Sequence, residues 1–250
     1  MEPWNIKEDD TRTSDSLPTF IIFCEDNVSE PIYFKYFETN SIKVNAIGAQ
    51  FSKDKNVIGT ISHCTKEGIF NEVDGRINQN PDDLQVWCVY DRDKEGDPEM
   101  ERLGNTKFDT SIRIADASGI NVAWSNDSFE LWILLHFEDV DVNNPDCSYR
   151  RYYYDRLTDI FRNLQNPCQD LISLVARQNF NYKQDMKHAN NFRNIVRAEI
   201  VGKTVKAISR AVLLDEHHSN QVAKALHQVS PFTKIHKLVE ELIRLGGKEI

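Results

Sequence analysis

Residues 84–93 read Leu-Gln-Val-Trp-Cys-Val-Tyr-Asp-Arg-Asp, a nearly continuous apolar run that ends in two aspartates. A short run of this kind is typical of a strand that is buried on both faces, as the strands of parallel sheets are. Further strand-like segments lie at 19–24, 42–47 and 120–124, and helical patterns separate them. This alternation predicts an α/β fold in which helices flank a mostly parallel sheet.

Helical patterns occupy much of the remaining chain. The first is expected to begin near Ser29, which we interpret as its N-cap. Three more precede residue 141, and from there the pattern is wholly helical, so the sheet is expected to lie in the first part of the chain. The predicted helices cover about 56–78, 97–118, 128–137, 148–164, 168–177, 186–213 and 232–246. We therefore expect a flexible tail at 1–18, an α/β core at 19–140 and a helical C-terminal extension at 141–250 that packs on the core.

Charge is unevenly distributed along the 250 residues, whose net charge is −9. Residues 1–140 contain 13 Lys and Arg against 27 Asp and Glu, whereas residues 141–250 contain 17 against 12. An acidic half suits metal binding and a basic half suits phosphate binding. No apolar run approaches the roughly 20 residues that cross a bilayer. The five scattered cysteines form no CxxC pair, which favours neither disulfides nor a zinc site, and we expect a cytoplasmic protein.

Polar side chains follow three of the predicted strands. Glu25 and Asp26 end the first, Asp91 and Asp93 end the third, and Ser125, Asn126 and Asp127 end the fourth. In an open parallel sheet, ligands bind beyond the carboxyl ends of the strands. Two carboxylates in an Asp-x-Asp pattern can point the same way, because extended residues alternate faces. Hard oxygen ligands of this kind select Mg²⁺, with Mn²⁺ as the alternative, although a turn or helix cap explains the same pattern.

Glu130 lies inside residues 129–135, an otherwise apolar segment in which burial is hard to avoid. A buried carboxylate costs several kcal/mol unless it is paired, protonated or bound to a metal. A metal ligand and a structural ion pair with an arginine therefore both remain open for this residue.

Four segments, taken in order along the chain, form a sequence pattern that resembles a known family. They are Phe20-Ile21-Ile22-Phe23-Cys24-Glu25 with Glu30-Pro31 and Tyr33-Phe34 after it, residues 86–93, Ser125-Asn126 with residues 129–137, and residues 234–242. Together they resemble the RloB-like family over roughly residues 19 to 245. That family is similar to Toprim domains, the catalytic fold of topoisomerases, primases and OLD-type nucleases. The resemblance therefore implies a Toprim-like (Rossmann-like) fold with its catalytic core at residues 19–140.

The resemblance implies roles for individual residues. Glu25 matches the Toprim glutamate, an acid/base or metal ligand, and Asp91 and Asp93 match the metal pair. Glu30 matches a second acidic position of OLD-type nucleases, Glu130 is implied more loosely as a ligand, and Lys183 is implied as a late catalytic lysine. Asp26 stands where the family usually has glycine, either as an added ligand or as a residue with positive φ.

The function implied by the resemblance is Mg²⁺-dependent hydrolysis of nucleic-acid phosphodiesters, in DNA or a structured RNA such as tRNA, as the effector of an anti-phage system with an ABC-type ATPase partner. Backbone contacts are expected from the basic half, at Arg150, Arg151, Lys187, Arg193 and Arg197. A catalytically weak scaffold that binds the ATPase and a nucleotide-processing enzyme remain alternatives, and a homo-oligomer stays open. The chain contains no P-loop, so it is not expected to be an ATPase itself.

Overall fold

The computed structural model describes residues 17–48, 57–73, 76–79, 83–94, 97–220 and 224–248. The strands in these ranges are β1 (Thr19–Phe23), β2 (Lys43–Ile47), β3 (Phe70–Val73), β4 (Arg76–Gln79), β5 (Leu84–Asp91), β6 (Asn121–Asn126) and β7 (Phe232–Thr233). Five of them form one sheet in the order β2-β1-β5-β6-β7, in which only β7 is antiparallel to its neighbour. The predicted α/β fold with a mostly parallel sheet flanked by helices is confirmed.

The helices are α1 (Ser29–Lys35), α2 (Val57–Lys66), α3 (Pro98–Ser118), α4 (Glu130–Leu135), α5 (Arg150–Arg162), α6 (Gln169–Val175), α7 (Tyr182–Asp185), α8 (Ala189–Asn191), α9 (Arg197–Ile200), α10 (Thr204–Ser219) and α11 (Ile235–Gly246). Short 3₁₀ segments lie at Pro145–Ser148, Val201–Lys203 and Leu226–Gln228, and a π-helical turn lies at Phe192–Val196. None of the described helices combines the length and the apolar character that crossing a membrane requires. The predicted tail falls mostly at residues 1–16, outside the described part of the chain.

The sheet is buried on both faces because its central strands carry apolar side chains at successive positions. Phe20 and Ile22 of β1 point to one face and join the larger core, which includes the apolar residues of α4 and α11. Ile21 and Phe23 point to the other face and pack with apolar residues of α2 and α3. Since side chains alternate along a strand, a continuous apolar run is what this two-sided burial requires.

The predicted helix at 56–78 is wrong beyond α2. Gly68 has φ +70°, a left-handed conformation that favours glycine and interrupts helical geometry. The chain then forms β3 and β4, an antiparallel pair that lies apart from the main sheet. Residues 56, 74 and 75 of the predicted helix lie outside the described residues.

The C-terminal part is not wholly helical, which corrects a second prediction. β7 returns to the sheet beside β6, where the hydroxyl groups of Ser125 and Thr233 lie 3.1 Å apart. A two-residue strand has too short a pattern to be recognised without the neighbour that it pairs with. The helix predicted at 186–213 is also divided, because the π-helical turn, α9 and a 3₁₀ turn intervene before α10.

A neutral histidine connects α1 and α4 within the core. The buried His136 ring lies 2.9 Å from the Trp132 carbonyl oxygen through Nδ1 and 3.3 Å from the Tyr33 hydroxyl through Nε2. A carbonyl only accepts, so Nδ1 carries the proton and Nε2 accepts from Tyr33. Burial lowers the pKa of His136 to about 3, and the charges of Lys203 and Arg210 act in the same direction.

Candidate functional site

The direction of the chain connections changes between β1 and β5. From β1 the chain passes through α1 to β2 on one side, and from β5 it passes through α3 to β6 on the other. Such a switch point opens a crevice at the carboxyl ends of the two strands. The structure has a pocket of about 400 Å³ at this position. Its carboxylates are Glu25, Asp26, Glu30, Asp91, Asp93 and Glu130, and its cations are Arg150 and Lys187.

The loop after β1 is wrapped around the carboxylate of Glu30. The Oε2 atom of Glu30 accepts hydrogen bonds from the backbone N–H groups of Glu25, at 2.7 Å, and Asp26, at 3.3 Å. Asp26 Oδ1 accepts from the N–H groups of Val28 and Glu30 and so stabilises the start of α1. Asp26, rather than Ser29, therefore supplies the helix cap, and its φ is not positive. The predicted N-cap at Ser29 is wrong, because Ser29 is the first helical residue.

Glu25 connects the two central strands at the pocket. Its Oε2 accepts a 2.7 Å hydrogen bond from the backbone N–H of Asp91. Asp91 in turn accepts a 2.8 Å bond through Oδ2 from the N–H of Phe129, at the start of α4. The ends of β1 and β5 and the start of α4 are therefore joined through carboxylates.

One oxygen of Asp91 is left over. Asp91 Oδ1 is buried and has no hydrogen-bond partner among the described residues. Burial raises the pKa of Asp91 well above its usual value, and the charges of Glu30 and Glu25 add to the effect. Burial likewise raises the pKa of Glu30, with Asp26 and Glu25 as the next causes. The crowded carboxylates and the unpartnered oxygen are features that a divalent cation would satisfy, so these residues fit one.

Asp93 forms an ion pair with Arg150, a residue that we expected to contact the nucleic-acid backbone. Arg150 Nη1 lies 2.6 Å from Asp93 Oδ1, and its Nη2 and Nε lie 2.9 and 3.0 Å from the two carboxylate oxygens of Asp127. Asp127 is 1% exposed and also accepts from the backbone N–H of Lys94. Burial opposes ionisation of Asp127, but Arg150 outweighs it and lowers the pKa of that carboxyl. Asp127 was predicted to lie with Ser125 and Asn126 at the end of the fourth strand, but no role in the site was assigned to it.

Glu130 is paired with a lysine across the pocket. Lys187 Nζ lies 2.6 Å from Glu130 Oε1, and the side chains are 31% and 4% exposed respectively. Burial would lower the pKa of Lys187, but the charge of Glu130 outweighs it and raises that pKa. Of the two alternatives for Glu130, the structure has an ion pair, with a lysine in place of the expected arginine.

The comparison with protein-family models matches residues 20–242 to the family of RloB-like proteins. The match covers most of the chain. The chain belongs to the RloB-like family. No curated protein and no solved structure matches it.

The other predicted site residues of this RloB-like protein lie around the pocket without lining it. Ser125 and Asn126 are buried, and Asn126 Nδ2 donates to the carbonyl oxygens of His227 and Val229 and so holds the loop before β7. Lys183 is exposed, with its Nζ 5.6 Å from the centre of the Tyr154 ring.

The three remaining arginines also lie outside the pocket. The Arg151 side chain is 92% exposed, Arg193 is exposed, and Arg197 lies over the Tyr36 ring. In the described part of the RloB-like chain, no three His, Cys, Asp or Glu side chains converge as a metal-binding group. Two of the pocket carboxylates, Asp93 and Glu130, face Arg150 and Lys187 instead.

Proposed function

We propose that this RloB-like protein hydrolyses nucleic-acid phosphodiesters with the help of Mg²⁺ bound in the β1–β5 pocket. The observation that carries the proposal is the unpartnered Oδ1 of Asp91, which is buried among carboxylates at the switch point of the sheet. Six carboxylates line the pocket against two cations, so it concentrates more negative charge than it balances and lacks a further positive charge. A hard divalent cation supplies one and at the same time attracts a phosphodiester.

Glu25, Asp91 and Asp93 would hold the cation, and Glu30 and Glu130 would contribute from the sides of the pocket. When bound, Mg²⁺ polarises a phosphoryl oxygen and lowers the pKa of an attacking water. Glu25 is assigned the transfer of the water's proton, because it lies at the pocket end of β1 next to Asp91. Glu30 shapes the loop that presents Glu25.

The cation that faces the phosphate in this proposal is Lys187 rather than Lys183. Lys187 lines the pocket, whereas Lys183 is exposed and does not line it. Lys187 would neutralise the charge that develops on a phosphate oxygen. Arg150 serves the same purpose at the Asp93 side.

The substrate in this proposal is DNA or a structured RNA such as tRNA, and the biological setting is anti-phage defence with an ABC-type ATPase partner. Both parts rest on the family resemblance.

A second function, a scaffold that binds the ATPase without cleaving, is favoured by one observation. Each pocket cation is already paired with a carboxylate, so both cations are engaged within the protein rather than turned towards a substrate.

The test is cleavage of radiolabelled DNA and tRNA with Mg²⁺ and Mn²⁺, with and without the ATPase partner. Asp91→Asn should abolish cleavage while it keeps the fold, because the amide oxygen can still accept from the Phe129 N–H. Asp155→Asn is the matched control, since that side chain is 72% exposed on α5. Cleavage that is equal in the two variants would refute the site, and full phage resistance with Asp91→Asn would favour the scaffold.

A further inference from the structure

One aromatic side chain differs from the rest in its exposure. Tyr149 is 54% exposed, whereas every other Phe, Tyr and Trp in the described ranges is buried or half-buried. Its neighbours in the run of tyrosines are less accessible: Tyr153 is buried, and Tyr152 and Tyr154 are half-buried. Tyr149, just before α5, is therefore the tyrosine of this segment whose ring is most accessible.

The ring of Tyr149 is held in place by a cation. Lys94 Nζ lies 4.3 Å from the ring centre and donates a 2.7 Å hydrogen bond to the carbonyl oxygen of Ser148. The backbone N–H of Tyr149 donates to the Asp146 carbonyl oxygen. Lys94 covers one face of the Tyr149 ring, so the exposed area of Tyr149 lies on the remainder of the side chain. An aromatic surface that is fixed before binding loses less conformational entropy when a ligand stacks on it.

The Tyr149 ring lies next to the pocket, because Tyr149 and Lys94 each directly adjoin a pocket residue in the sequence. Tyr149 directly precedes Arg150, and Lys94 directly follows Asp93, so both flank the Arg150–Asp93 ion pair. The backbone N–H of Lys94 also donates to Asp127, the second partner of Arg150. Arg151, two residues after Tyr149 in the sequence, has a side chain that is 92% exposed and pairs with Asp155 at 3.7 Å. Exposed aromatic and cationic side chains that lie close together are what proteins use to bind single-stranded nucleic acid.

We propose that Tyr149 stacks on an unpaired base of the nucleic acid whose adjacent phosphate enters the β1–β5 pocket. This inference rests on the proposed function and deepens it, since it assigns the substrate class: a single strand, or a loop or end whose bases are unstacked. Double-stranded nucleic acid presents no free base face to the ring.

The test measures binding by fluorescence anisotropy in an Asp91→Asn background, with Mg²⁺ present and cleavage blocked. The probes are a fluorescein-labelled oligothymidine, an abasic oligomer of the same length and a blunt duplex. Oligothymidine should bind about 5- to 150-fold more tightly than the abasic oligomer. Adding Tyr149→Ala should remove that preference, whereas Tyr149→Phe should keep it. The Tyr149 side chain makes no helix-cap hydrogen bond, so the alanine leaves the start of α5 intact.

Two further variants separate stacking from charge and from general surface effects. Arg151→Ala should weaken binding of both single strands alike and reduce the salt dependence, because it removes a phosphate contact. Leu213→Ala, at an apolar side chain that is 61% exposed on α10, should change nothing.

Three outcomes would overturn the inference, and they are distinguishable. If neither single strand nor the duplex binds, the proposed function fails and the stacking site fails with it. If oligothymidine and the abasic oligomer bind equally, the proposed function stands and the stacking role of Tyr149 is refuted. If Tyr149→Ala leaves the base preference intact but abolishes binding of the ATPase partner, the ring belongs to a protein interface.

Discussion

The ion pair between Glu130 and Lys187 makes an asymmetric prediction about stability. The two side chains meet at 2.6 Å, but Glu130 is 4% exposed and Lys187 is 31% exposed. Lys187→Met leaves a buried carboxylate without its partner, whereas Glu130→Gln leaves an ammonium group that can turn towards water. Removing the lysine should therefore cost more than removing the glutamate.

The magnitudes follow from the burial of each partner. Breaking a buried pair so that a charge is left uncompensated costs 3–5 kcal/mol, and because Glu130 borders an open pocket we expect about 3 kcal/mol for Lys187→Met. For Glu130→Gln we expect about 1 kcal/mol, since solvent screens the lysine. The double variant should lose less than the sum of the two, because neither charge is then left alone.

Urea unfolding followed by circular dichroism measures these differences. Lys237→Met is the matched control, because its partner Glu240 is 3.5 Å away and both side chains are more than 40% exposed. That change should shift the free energy of unfolding by less than about 0.5 kcal/mol. Adding Mg²⁺ should stabilise Lys187→Met more than the wild type, since a bound cation replaces the lost charge. Equal losses for Lys187→Met and Glu130→Gln would refute the reasoning.

Three other predictions concern the surroundings of the pocket. Asp127→Ala should cost about 3 kcal/mol of unfolding free energy, because it strips Arg150 of its bidentate partner, and an unchanged urea midpoint would contradict the role assigned to Asp127. Gly48→Ala should destabilise the protein by about 1–3 kcal/mol and reduce any cleavage activity, because the added Cβ would lie 2.9 Å from the Cα of Asn27; a thermal melt that matches the wild type would contradict it. Acidification from pH 7.5 to 5.5 should lower the free energy of unfolding of the wild type by about 1.4 kcal/mol more than that of His136→Gln. The reason is that the histidine takes up a proton near pH 6.5 when unfolded and only near pH 3 when folded. Parallel pH profiles of the two proteins would refute this.

Much of the sheet could be predicted because burial on both faces leaves a strong local pattern. The continuous apolar runs identified β1, β5 and β6, and the helix predicted at 97–118 was close to the bounds of α3. What the sequence missed depends on distant neighbours. β7 is two residues long and is defined by its pairing with β6, and the β3–β4 hairpin lies in a segment where helical periodicity extends beyond α2.

The candidate site likewise has residues that could be predicted from the sequence and residues that could not. Glu25, Asp91 and Asp93 end buried strands, so their common position at one sheet edge follows from topology, and the structure places all three in the pocket. Lys183 and Lys187 are four residues apart, and sequence spacing alone could not distinguish which of them reaches the pocket. The role of Asp127 as the partner of Arg150 could not be predicted, because Arg150 lies in α5, 23 positions along the chain.

Metal binding at Asp91 is the central claim, and a crystal structure of the protein soaked with Mn²⁺ tests it most directly. An anomalous peak in contact with Asp91 Oδ1 and bordered by Glu25 is the predicted result, and the peak should disappear in Asp91→Asn crystals. A saturating soak that leaves the pocket without a peak, or that places Mn²⁺ only elsewhere on the protein, would contradict the account.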